Sequence, residues 1–177
     1  MSTRTITELE GLLDQLEKET VPLNPVVFEK VAVVIAKQFG VESDEIAILE
    51  LRSGSKVLTF VLPEKLRAVG NIPLTSANSL AARTARERRS DIVNNFAQSR
   101  HASVFEGVPL GRRQGVCIQK LISAPIIREN EVLGVVQISR KGETSQECGP
   151  DFNPGDLKAL RGLNDSLVRV LALAQIV

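Results

Sequence analysis

Few residues of this chain carry reactive chemistry, and their spacing limits what that chemistry is. Cys117, Cys148 and His101 are the only thiol and imidazole groups in 177 residues. A zinc site gathers three or four Cys, His or acidic ligands, so a Cys/His zinc site is excluded by count and no metal is expected. Cys117 stands in Gly115-Val116-Cys117, just after Arg112 and Arg113. Guanidinium groups folded close to it would favour its thiolate. Redox chemistry needs a second thiol to resolve the sulfenic acid. Cys148 sits in the polar connector Glu147-Cys148-Gly149, and nothing in the sequence brings it toward Cys117. The expectation is a buried structural Cys117 and an exposed incidental Cys148. His101 alone is weak ground for haem ligation, and no cofactor is expected. No Ser/His/Asp order or phosphate-cradling glycine loop offers another reaction.

Charge offers a second chemistry. The net charge is only +1, yet residues 83–120 hold eight bases against three acids, and residues 1–52 hold ten acids against five bases. Such a basic block attracts anions, and it equally describes a solvated face, the reading favoured here. Arg83, Arg86, Arg88 and Arg89 fall on or just after one short helix, where bases suit the dipole, and Glu87 and Asp91 dilute them. The chain has six Phe and no Tyr or Trp. It therefore lacks an aromatic platform for single-stranded nucleic acid and a cage for a quaternary amine. No nucleic-acid partner is expected.

The elements that must position these groups follow from patterning. Hydrophobic residues make up 43% and charged residues 24%, as in an ordinary soluble domain, and residues 1–177 are read as one. No signal peptide is visible and no segment approaches the ~18 to 20 apolar residues of a membrane span. The expectation is a cytoplasmic protein with reduced thiols and no membrane contact. Thr5-x-x-Glu8 reads as a capping box at the head of a helix to about Lys18, with Ile6, Leu9, Leu13 and Leu16 on one stripe. Asn24-Pro25 opens a largely buried helix to about Phe39, stopped by Gly40. Ile46 to Leu51 and Val57 to Leu62 read as a hairpin. Ile72-Pro73-Leu74-Thr75-Ser76 leads into a helix over about Ala77 to Arg88, and Asp91-Ile92-Val93-Asn94 reads as a short edge strand. Residues 95–116 show little periodicity, and long loops in compact domains are often functional. Lys120 to Ile127 and Glu131 to Arg140 form a hairpin about Arg128-Glu129-Asn130-Glu131. Its second strand is apolar on both faces from Val132 to Ile138, and Gly134 leaves room for another backbone. Asn153, Pro154 and Asp156 open a last helix expected to run nearly to Val177, with the seam Leu160, Leu163, Leu167, Val170 and Ala174. Both terminal stripes need partners, either their own sheet or a symmetry mate.

This order, with Ile72-Pro73-Leu74, Ala124-Pro125-Ile126, Val132-Leu133-Gly134-Val135 and Phe152 with Asp156-Leu157, resembles the GAF domain family over about residues 20–175. The resemblance implies an α+β fold of the profilin/PAS-like kind. It has a central antiparallel sheet of about six strands, helices on both faces, and the N- and C-terminal helices packed together. It also implies a ligand pocket on one sheet face, roofed here by about residues 94–117. The implied ligand-binding residues are Asn94, Asn95, Phe96, Arg100, His101, Arg112 and Arg113, with Gln98 beside them. Arginines and amides suit a phosphate or carboxylate, and Phe96 an apolar ring. Asn94-Asn95-Phe96-Ala97 departs from the Asn-Lys-x-x-Asp-type signature of cyclic-nucleotide-binding relatives. Arg100 before His101 departs from the Cys-His of bilin-binding ones. The implied role is a non-enzymatic small-molecule sensor or regulatory module in signalling, homodimeric through its terminal helices. A ligand-free dimerisation module is the alternative. A thiol-based free methionine sulfoxide reductase is a second, opposed by the absence of Trp and the scarcity of cysteines.

Overall fold

A computed structural model of the chain describes residues 2–19, 25–68, 70–98 and 116–175. The elements are α1 (Ser2–Lys18), α2 (Pro25–Phe39), β1 (Ile46–Glu50), β2 (Val57–Leu62), α3 (Glu64–Arg67), β3 (Asn71–Pro73), α4 (Leu80–Glu87), β4 (Asp91–Val93), β5 (Cys117–Arg128), β6 (Glu131–Gly142), α5 (Pro154–Gly162) and α6 (Asn164–Ala174). Six strands form one sheet in the order β3-β2-β1-β6-β5-β4, each neighbour antiparallel. The expected α+β fold, with helices on both faces, is the one observed.

The β5–β6 hairpin is the spine. Arg128 pairs with Glu131, so the turn is only Glu129-Asn130, and both have positive φ (49° and 67°), as a two-residue type I′ turn requires. β1 lies against the other edge of β6. There Gly134 passes so close that a Cβ would stand 2.1 Å from the Leu49 carbonyl oxygen and 2.9 Å from Leu171 Cδ1. The close approach expected at that glycine is therefore real, and it lets α6 reach the sheet.

One sheet face carries α1, α2, α5 and α6. Ile46, Ile48, Ile122, Ala124, Ile126, Val136 and Ile138 pack there against Leu9, Leu13, Ile35, Leu160, Leu163 and Leu167. The terminal helices also touch through Arg169, whose Nη2 donates to Asp14 Oδ1 at 2.6 Å and whose Nε donates to Glu17 Oε1 at 3.0 Å. Both terminal stripes are thus consumed by the chain's own core, and among the described residues the large apolar side chains left exposed are Val26 (64%) and Val33 (40%) on α2.

Three expectations are corrected. α1 begins at Ser2, so Thr5 lies inside the helix and caps nothing. α4 begins at Leu80, where Ser79 Oγ accepts from the Ala82 N–H at 3.2 Å. The last helix is two: α5 opens with the expected Asn153–Asp156 capping box, but the path breaks at Leu163. That break sets Asn164 against the free edge of β5, where its amide accepts from the Ile127 N–H and donates to the Ile127 carbonyl, both at 2.9 Å. A sheet edge is satisfied there by one side chain instead of by another strand. Among the described residues no helix is long and apolar enough to cross a membrane.

Candidate functional site

The opposite sheet face lies under α4. Ala81, Ala82 and Ala85 let this helix sit low on the sheet, and Thr84 points into it. Thr84 Oγ1 lies 2.8 Å from Ser123 Oγ, and Gln137 Nε2 donates to Ser123 Oγ at 3.2 Å. All three residues are buried. Buried polar groups are costly unless bonded, so the trio holds one arrangement. It also interrupts the apolar floor. Leu49, Leu58, Phe60, Ile72 and Val135 cluster on one side, and Leu80, Phe96, Ile118 and Leu121 form a separate small cluster on the other. The polar column continues along β6. Ser139 Oγ donates to the Glu45 carbonyl at 3.2 Å, and Glu45 Oε1 accepts from the Lys141 N–H at 2.6 Å.

The expected roof begins after β4. Asn94 is used as a clip: its Nδ2 donates to the Phe152 carbonyl, and its Oδ1 accepts from the Phe152 N–H, both at 2.9 Å. Asn95, just before a short 3-10 turn, and Gln98 at its end are exposed. Phe96 is fully buried against Leu80, Ile118 and Leu121, filling that part of the floor. Arg100, His101, Arg112 and Arg113 lie outside the described residues. Thr84, Ser123 and Gln137 escaped the sequence reading, although Ser123 and Gln137 are polar residues within otherwise apolar runs. Ser123 and Gln137 share a face by the period of two, and they are direct partners across β5 and β6.

Three of the four bases on and after α4, Arg83, Arg86 and Arg89, are bonded within the chain. Arg83 pairs with Asp91 at 3.2 Å, and Arg89 with Glu87 at 3.3 Å and Asp91 at 3.5 Å. Arg86 donates to the Leu74 and Ser76 carbonyls.

A thiol corner closes the other end of the hairpin. Cys117 pairs with Gly142 across β5 and β6. A Cβ on Gly142 would stand 3.0 Å from Cys148 Cβ, so the connector after β6 folds back over that glycine. The expectation that Cys148 lies apart from Cys117 is corrected. Both residues are half-buried and both thiols are free. Gln119 Nε2 donates to the Gly142 carbonyl at 3.0 Å and lies 3.3 Å from Cys117 Sγ. Burial pushes the Cys148 thiol up from its ordinary value, with the Lys120 and Arg140 cations pulling the other way. Arg140 stacks on Phe152 at 4.6 Å and donates to the Phe39 carbonyl at 3.0 Å, and Lys120 Nζ reaches Asp151 at 2.8 Å. Among the described residues no group of three or more His, Cys, Asp or Glu could hold a metal ion.

A family model for the GAF domain matches residues 27–172. A search of curated proteins finds no match. Among solved structures, the GAF domain of an Acinetobacter phosphoenolpyruvate-protein phosphotransferase superposes with a TM-score of 0.69 at 14% identity, over 99% of this chain and 96% of that one. Free methionine-R-sulfoxide reductase from Neisseria meningitidis gives 0.62 at 16% identity, over 100% and 92%. The second GAF domain of DevS from Mycobacterium smegmatis gives 0.56 at 18% identity, over 86% and 96%. Identities this low show the shared fold alone.

Proposed function

We propose, since this chain belongs to the GAF domain family, that it is a non-enzymatic sensory module for a small anionic molecule in cytoplasmic signalling. The ligand sits on the sheet face beside Thr84, Ser123 and Gln137, in place of the Phe96 plug. Asn95, Arg100, His101, Arg112 and Arg113 in the roof segment hold its phosphate or carboxylate. The observation that carries this reading is the buried Thr84–Ser123–Gln137 trio. A bonded polar island splitting an apolar floor is a costly way to build a mere core, and a good way to orient a ligand. Binding acts through the roof segment, and the Asn94–Phe152 clip passes the change to the connector leading into α5. Native mass spectrometry of protein purified from its host tests this. A small molecule released on denaturation, and absent from Gln137→Leu, is the expected result. A ligand-free mass, together with a thermal midpoint that no small phosphate or carboxylate raises, overturns the reading.

The ligand-free dimer is the second reading, and Val26 and Val33 favour it. They flank a groove between α1 and α2 of about 530 Å³, lined also by Leu12 and Val34. Two copies meeting there form a helical bundle. Val33→Glu then converts a dimeric mass at micromolar concentration to a monomeric one, and a monomeric parent protein ends this reading. A reductase of free methionine sulfoxide is not favoured, and the purified protein should show no turnover of that substrate.

A further inference from the structure

We propose that Cys117 and Cys148 are an oxidisable pair that closes an intramolecular disulfide across Gly142. Directly opposed residues of an antiparallel pair hold their Cβ atoms about 4.5–5.5 Å apart on the same face. Cys117 therefore lies about that far from the point where a Gly142 Cβ would stand, and Cys148 Cβ is 3.0 Å from the same point. The two Cβ atoms are thus separated by at most about 8.5 Å, against roughly 3.5–4.5 Å in a formed bridge. The missing side chain at residue 142 creates this meeting. Any larger residue would fill the space that Cys148 enters. Closure needs a shift of a few ångströms in the connector, which is built of turns and bends. Burial disfavours negative charge on the Cys148 sulfur, and Lys120 and Arg140, both buried beside it, offset only part of that cost.

The oxidant is a low-molecular-weight disulfide. One protein thiol loses its proton, and its sulfur attacks the small disulfide, breaking the S–S bond and releasing one small thiolate. The second protein thiol loses its proton and attacks the mixed disulfide, releasing the other. Two protein thiols are oxidised, one small disulfide is reduced to two thiols, and a 117–148 bond remains. The bridge has a consequence for the roof segment. Asn94, at its start, is already clipped to Phe152 of the connector, and Cys117, at its end, would be bonded to Cys148 of the same connector. Both ends of residues 94–117 would then be fixed to one strap. That consequence rests on the sensor reading, whereas the disulfide does not.

The test equilibrates the full chain with a reduced/oxidised glutathione buffer, quenches with acid, and reads intact mass and peptide maps. The expected product is monomeric, 2 Da lighter than the reduced chain, with residues 117 and 148 in one cross-linked peptide. In Cys148→Ser a stable glutathione adduct should remain on Cys117, because nothing resolves it. Gly142→Ala should reduce the closed fraction at a given buffer ratio by at least threefold. Glutathione on both cysteines of the parent protein, thiols that never react, or a covalent dimer would each overturn the pair. None of these readouts requires a ligand, so failure here leaves the sensor reading standing, and failure of that reading leaves the disulfide standing.

Discussion

On the face that carries α1, α2, α5 and α6, the sheet meets its helices through one continuous apolar layer, from Leu9 and Leu13 through Ile48 and Ile138 to Leu163 and Leu167. Under α4 the same sheet presents two separate apolar clusters with Thr84, Ser123 and Gln137 between them. The first face has every side chain committed to burial, so it holds the fold. The second spends part of its area on hydrogen bonds that net little stability but fix direction. A layer that only had to be stable would use apolar side chains at residues 84, 123 and 137. The proposed sensor reading rests on this contrast.

The largest effect that tests this contrast is at Gly134, where the two faces share a backbone contact. Gly134→Val places carbon within 2.1 Å of the Leu49 oxygen, so no rotamer relieves it. We expect no cooperative unfolding transition by circular dichroism. Next comes a direct contest between faces. Leu163→Ala, in the continuous layer, should cost about 3–4 kcal/mol in urea unfolding, within the range of well-packed sites. Phe96→Ala removes a larger side chain, but from a cluster of only four buried residues. It should cost no more than about 2 kcal/mol. If Phe96→Ala proves the more damaging, the α4 face is a structural core and the contrast fails.

A smaller effect belongs to the trio itself. Ser123→Ala removes the hydroxyl that Thr84 and Gln137 share and leaves both buried, at a cost of about 1–3 kcal/mol. Replacing all three together, with Thr84→Val, Ser123→Ala and Gln137→Leu, should recover most of that stability while abolishing ligand retention. Recovery of both would reduce the trio to packing. The smallest effect is at Cys148. Its thiol is pushed up in the folded state by burial, so the fold favours the protonated form. The resulting stability is present below the unfolded thiol value of 9.0 and is lost as pH rises through the higher folded one. Cys148→Ser should therefore flatten the alkaline decline in melting temperature above about pH 9, with little change at pH 7.

The elements were legible where local chemistry dictates them. Asn153 with Pro154 and Asp156 could only open a helix, and Gly40 closes α2 with φ of +61°. Glu129-Asn130, between two apolar runs, was readable as a turn, although its two-residue length and positive φ values appeared only with the register. The break at Leu163 was not legible, because the seam Leu160, Leu163, Leu167 and Val170 stays buried in step on both sides of it. What interrupts the helix is Asn164 reaching an edge of β5 that lies 37 residues earlier. Among the candidate site residues, the sequence could flag Asn94 as polar and Phe96 as apolar. It could not say that one clips the connector and the other fills the floor.

Sequence alone determined the position of the β5–β6 turn, the Asn153 cap, the strand periodicity and the glycine that lets Leu49 approach. Each of these depends on backbone preferences and side chains within a few positions. Tertiary structure alone decided which polar residues share a face across β5 and β6, how α4 sits over them, and that Cys148 returns to Cys117. Those meetings are set by strand register and by the path of a connector. A one-residue slip in register would invert every face while leaving each local signal unchanged.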